Sequence, residues 1–65
     1  MNKRIIEIIL DRKKLDLNNT ISDEVFYTLD EKLSNELANI VEDFDEYYRL
    51  EKMGIYDLKE ILKSL

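Results

Sequence analysis

Apolar side chains recur at helical spacing in three stretches of this chain, and polar side chains fill the intervals. In the first stretch Ile5, Ile6, Ile8, Ile9, Leu10 and Leu17 fall within one arc of roughly 200° at the 3.6-residue period. Lys3, Arg4, Glu7, Asp11 and Lys14 occupy the other side. The pattern does not alternate, so the clustered isoleucines read as a helix over residues 3–17 rather than as a strand. A helix packed on one neighbour needs an apolar stripe of only about 100°. The wider arc predicts two neighbours.

Asn18 and Asn19 interrupt the pattern, and both tolerate the backbone angles that close a helix. Ser22 then reads as an N-cap, with Asp23 and Glu24 in the first turn and Ile21 placed to staple onto Phe26. From there Phe26, Leu29, Leu33, Leu37, Ile40, Phe44 and Tyr47 or Tyr48 follow at steps of three and four, a near-heptad stripe. No Gly or Pro breaks it, so the pattern predicts one helix over residues 23–53, roughly 45 Å long at 1.5 Å per residue. Gly54 reads as a left-handed residue closing this helix, with Ile55 folding back onto Leu50. A short third helix over residues 58–65 follows, with Asp57 as N-cap, Glu60 completing a capping box, and Leu58, Ile61, Leu62 and Leu65 on its apolar face.

The expected fold is all-α, a helical hairpin plus a short third helix, in a single domain over residues 1–65. A chain this small buries only about 60% of the surface its unfolded form exposes. The core expected on this reading comprises Ile5, Ile6, Ile9, Phe26, Leu29, Leu33, Leu37, Ile40 and Phe44. The long stripe and the wide first arc need more cover than the predicted hairpin offers, which predicts a homodimeric helical bundle.

Composition narrows the chemistry. The chain has no Cys and no His. That removes disulfides, thiolate metal sites and the usual base of a nucleophilic triad. Proline is absent and glycine occurs once, so no glycine-rich phosphate loop is present. The expectation is a protein that is not an enzyme and that uses no cofactor and no metal. Glu42, Asp43, Asp45 and Glu46 are the densest carboxylate group. Read as continuous helix, they lack the Gly-containing turn that wraps calcium. No stretch reaches the roughly 20 apolar residues of a membrane span, and the basic, Ile-rich start lacks a signal peptide's cleavage site. A cytoplasmic location is expected.

Charge is unevenly placed. The net charge is −5, yet residues 1–18 carry five basic and three acidic side chains, and residues 19–46 carry Lys32 against nine acids. Glu24, Glu31, Glu42, Asp45 and Glu46 would lie opposite the apolar stripe of the second helix. They would form an acidic band suited to a basic partner surface, the other reading being a solvated face. Tyr47 and Tyr48 with Phe44 form an aromatic cluster of the kind interfaces favour. The residues expected to touch a partner protein are Glu31, Glu42, Asp45, Glu46, Tyr47 and Tyr48. The expected function is a small helical interaction module: an inhibitor or accessory regulatory factor, of the kind phages and mobile elements encode. Direct nucleic-acid binding is disfavoured by the net charge. Lys3, Arg4, Arg12, Lys13 and Lys14 nevertheless define one alternative, a DNA-associated regulator using the basic first helix.

Leu33-Ser34-Asn35-Glu36-Leu37-Ala38 resembles the serine-glutamine-glutamate-leucine-aspartate signature of the small helical-hairpin phosphatases of sporulation regulators. The resemblance implies a second alternative, a hairpin regulator acting on the phosphorylated aspartate of a response regulator. Ala38 stands where that family's key aspartate belongs, and Asn35 replaces its glutamine. A relative built this way would bind without dephosphorylating.

Overall fold

The computed structural model describes residues 2–65. It contains α1 (Lys3–Asp16), α2 (Asp23–Ile40), α3 (Phe44–Lys52) and α4 (Ile55–Lys63), with no strand among the described residues. The all-α fold is as the sequence predicts, and the first two helices start at the expected residues, Lys3 and Asp23. Asn2 Oδ1 accepts from Arg4 N at 2.9 Å, and Ser22 Oγ accepts from Val25 N at 3.3 Å. Between them, Asn18 Oδ1 takes the backbone N–H of Thr20 at 2.9 Å and its hydroxyl at 2.7 Å. That is the local Asn turn that stops a helix from continuing.

The predicted 31-residue helix is in fact two. Val41, Glu42 and Asp43 leave helical geometry, with Val41 at φ −73°, ψ 123° and Asp43 at φ −112°, ψ 103°. Asp43 Oδ1 accepts from Glu46 N at 3.1 Å and so caps a new helix. Asp45 and Glu46 sit in its first turn, Arg49 and Lys52 in its last, each matched to the helix dipole. The break resets the phase of the stripe, which leaves Phe44 60% exposed at the start of α3.

The second correction is at Gly54. Its φ is −74° and its ψ 164°, an extended N-cap conformation open to any residue rather than the left-handed closing one. Consequently α4 begins at Ile55, three residues before the predicted start, and Asp57 lies in its first turn instead of capping it.

Helix α1 is the strut on which the other three pack. Arg4 pairs with Glu36 and Arg12 with Asp30, which makes α1 and α2 an antiparallel hairpin. Ile8 and Leu37 are buried on that side. On the other side Ile6, Ile9 and Leu10 pack with Leu50 of α3 and Leu58 of α4, flanked by Ile5, Tyr47, Met53, Ile55, Ile61 and Leu62. The wide apolar arc of α1 thus meets three neighbours, all within one chain.

The predicted core is correspondingly shifted. Ile6, Ile9 and Leu37 are buried as expected, and Ile5, Phe26, Leu33 and Ile40 are half-buried. Leu29 is 41% exposed, because α3 and α4 pack on α1 and leave the edge of the α2 stripe with no second cover. Leu17, one residue past α1, is exposed as well.

Candidate interaction surface

Three basic side chains of α1, Arg4, Arg12 and Lys13, are committed to partners within the chain. Arg4 makes a two-point contact with Glu36, Nε donating to Oε1 at 3.0 Å and Nη2 to Oε2 at 2.7 Å. This hydrogen-bonded pairing raises the Arg4 pKa and holds the Glu36 carboxyl below its ordinary value. Arg12 reaches two helices at once. Its Nε donates to Asp30 Oδ1 at 3.2 Å, and its Nη1 lies 3.5 Å from Glu51 Oε1. Lys13 Nζ donates to the Glu51 carbonyl at 2.8 Å, satisfying a backbone acceptor in the last turn of α3. Arg4, Arg12 and Lys13, counted above toward a basic nucleic-acid face, are therefore engaged within the chain.

The six residues expected to bind a partner separate into two environments. Tyr47 is half-buried against the core, and its hydroxyl donates to Glu51 Oε1 at 2.6 Å. Burial foremost, then that hydrogen bond, pushes its pKa up. Glu46 is half-buried too, its N–H spent on the Asp43 cap. By contrast Glu31, Glu42, Asp45 and Tyr48 are exposed, Tyr48 at 58%. The Tyr47 and Tyr48 rings lie 5.4 Å apart, tilted by 54°, so the buried ring steadies the exposed one. Glu42, Asp45 and Tyr48 belong to the linker and outer side of α3, whereas Glu31 lies on α2. The acidic band is not the continuous helical face the pattern suggested, because the 41–43 break separates its two halves. Among the described residues no group of three carboxylates converges as a metal site would require, and no helix is long and apolar enough to cross a membrane.

Sequence reasoning missed a groove where α2 and α3 meet. It has a volume of about 200 Å³ and is lined by Arg12, Ser34, Leu37, Ala38, Val41, Phe44 and Tyr47. The small side chains at Ser34 and Ala38 line it from α2. The α2–α3 break supplies Val41 and Phe44. Asp43 with Glu46 three residues on is the capping-box spacing that marks this break in the sequence.

Comparison of the chain with protein-family models, with curated proteins and with solved structures finds no match.

Proposed function

We propose that this chain is a non-catalytic helical interaction module that docks on another protein through the outer side of α3 and the linker before it. The observation that carries the reading is Tyr48, a large aromatic side chain 58% exposed, one turn along α3 from exposed Asp45 and on the helix that follows exposed Glu42. Tyrosine brings contact area at small entropic cost, and such residues anchor interfaces. The neighbouring carboxylates favour a partner with a basic rim, chiefly by steering its approach. This is the arrangement of an inhibitor or accessory factor that occupies a surface on its target. The module is further read as a homodimer, for its surface of 4872 Å² exceeds by about 500 Å² that of an average compact monomer of its mass.

The test is site-specific photo-crosslinking in the native host with a benzophenone side chain in place of Tyr48, and a second probe at Lys59 on α4 as control. A defined adduct from position 48 that is absent from position 59 supports the reading. Adducts of equal yield from both positions, or from neither, refute it.

A further inference from the structure

The linker between α2 and α3 interrupts a pattern that runs through it. Ile40, Phe44 and Tyr47 continue the α2 stripe at helical steps, and Val41-Glu42-Asp43 contains neither Gly nor Pro. The helical ladder runs as far as Val41 N, which donates to the Leu37 carbonyl at 3.0 Å, and resumes with Tyr47 N on the Asp43 carbonyl at 3.1 Å. In the gap a single side-chain bond, Glu46 N to Asp43 Oδ1 at 3.1 Å, holds the start of α3. The bend thus gives up several helical hydrogen bonds and leaves Phe44 60% exposed. What offsets this is one cap and the packing of α3 and α4 on α1.

Beyond the linker, α3 and α4 form one arm. Its buried side chains are Leu50 and Leu58, which pack with Ile6, Ile9 and Leu10 of α1. Straightening the linker would make α2 and α3 one helix. Leu50, ten residues past Ile40, would then lie about 15 Å beyond the end of α2 by the rise per residue. Because α2 runs antiparallel to α1, that direction leads past the start of α1 and away from Ile9. The opened chain therefore cannot cover Ile6, Ile9 and Leu10 with its own Leu50. A second opened copy supplies what fits them, since the arm of each matches the α1 of the other through the same side chains that pack within the single chain. No new apolar interface has to be built, and only the linker changes conformation.

We infer that residues 41–43 are an exchange hinge, through which two copies of this chain hand α3 and α4 to each other's α1 and form a domain-swapped dimer. The inference rests on the homodimer reading above and gives that dimer its interface. Tethering sets the dependence on concentration. An arm on a short linker meets its own α1 at an effective concentration on the order of millimolar, so the closed chain prevails when dilute and the exchanged pair when concentrated.

The test is sedimentation equilibrium on the full chain from micromolar to millimolar concentration, with circular dichroism as a fold control. The wild type is expected to pass from the 7.8 kDa chain mass to twice that mass. Asp43→Ala removes the cap and favours continuous helix, so it is expected to dimerise at a concentration lower by about tenfold or more. Phe44→Pro suits the first position of α3 behind an extended Asp43 but forbids a continuous helix. It is expected at the single-chain mass throughout, with the helicity of the dilute wild type. The exchange itself is read from a wild-type dimer co-refolded from methyl-labelled and unlabelled chains. Isotope-filtered nuclear Overhauser spectra are expected to place Ile9 of one chain against Leu50 and Leu58 of the other. Single-chain mass throughout for both wild type and Asp43→Ala overturns the inference together with the homodimer reading. A double mass with those contacts confined within each chain overturns the exchange and leaves the dimer to a different surface. Phe44→Pro associating as the wild type does overturns the hinge.

Discussion

Arg12 joins three helices through one side chain, from its seat on α1 to Asp30 on α2 and Glu51 on α3. The three side chains are each about one-third exposed, so the pairing is partly screened and worth less than a buried one. Arg12→Ala is expected to cost about 1–2 kcal/mol, mostly by leaving Asp30 without its donor while Glu51 keeps only Tyr47, as read from the urea midpoint at constant m-value. Tyr47 shares the same acceptor, and its effect shows in pH. Its folded pKa lies above the ordinary tyrosine value, which is about 10. Its contribution is therefore fully present below about pH 10 and lost as pH rises through the folded pKa. Stability of the wild type should fall along this alkaline limb, and Tyr47→Phe should lose that part of the slope. Glu36 works in the opposite sense. Arg4 holds its carboxyl below the ordinary value, so its contribution is present above the unfolded pKa and lost as pH falls through the folded one. Glu36→Gln should flatten the acid limb. Identical acid limbs for Glu36→Gln and wild type would remove the Arg4–Glu36 pair from the stability of the hairpin.

At the scale of elements, the start of α2 was legible because Ser22 stands as a cap ahead of Asp23 and Glu24, and the start of α3 was illegible because the stripe ran on across its cap. The steps of three and four from Phe26 to Tyr47 describe continuous helix, and Asp43 has to outweigh them locally. It does so because a side-chain acceptor for Glu46 N, with two carboxylates at the positive end of α3, stabilises a new start. Asp43→Ala separates the two descriptions. In an uninterrupted helix the exchange improves helix propensity and stabilises. With Asp43 as a cap it should cost about 1 kcal/mol, measured by denaturant titration. Gly54 offers a second discrimination. A left-handed glycine there would lose about 1 kcal/mol on replacement by serine. The observed φ of −74°, the absence of a side-chain cap on α4, and open space around an added Cβ predict the reverse. Gly54→Ser should gain several tenths of a kcal/mol from a capping hydroxyl and a less flexible unfolded chain. The interaction residues were legible by type but not by environment. Tyr47 and Tyr48 are adjacent in sequence, and only the packing of α3 on α1 decides that the first is held in the core and the second turned outward.

For the whole molecule, the breadth of the α1 arc correctly indicated more than one neighbour, though there are three helices rather than two. It could not say that all belong to one chain, because α3 and α4 become neighbours only once the long stripe is broken and α3 turns back to run along α1. That turn makes α1 the common wall of two small packing regions. Ile9 is buried in the cluster with Leu50 of α3 and Leu58 of α4, while Ile8, one turn from both Arg4 and Arg12 on the ridge that pairs with α2, is buried outside it, at 1% and 0% exposure. The α3–α4 region cannot persist without α1, since helices shorter than about 12–15 residues are marginal in isolation and both α3 and α4 have nine residues. The two regions should therefore unfold as one. Ile8→Ala and Ile9→Ala should each cost about 2–5 kcal/mol, a large share of the roughly 5–15 kcal/mol typical of a domain. More informative than the size is the spread. Hydrogen exchange on the Ile8→Ala variant should show protection lowered by the same factor in α3 and α4 as in α2, although Ile8 lies outside the cluster that buries α3 and α4. Protection lost from α2 alone would mean that α1 with α3 and α4 forms an independent unit, and that the Arg12 bridge does not couple the two sides.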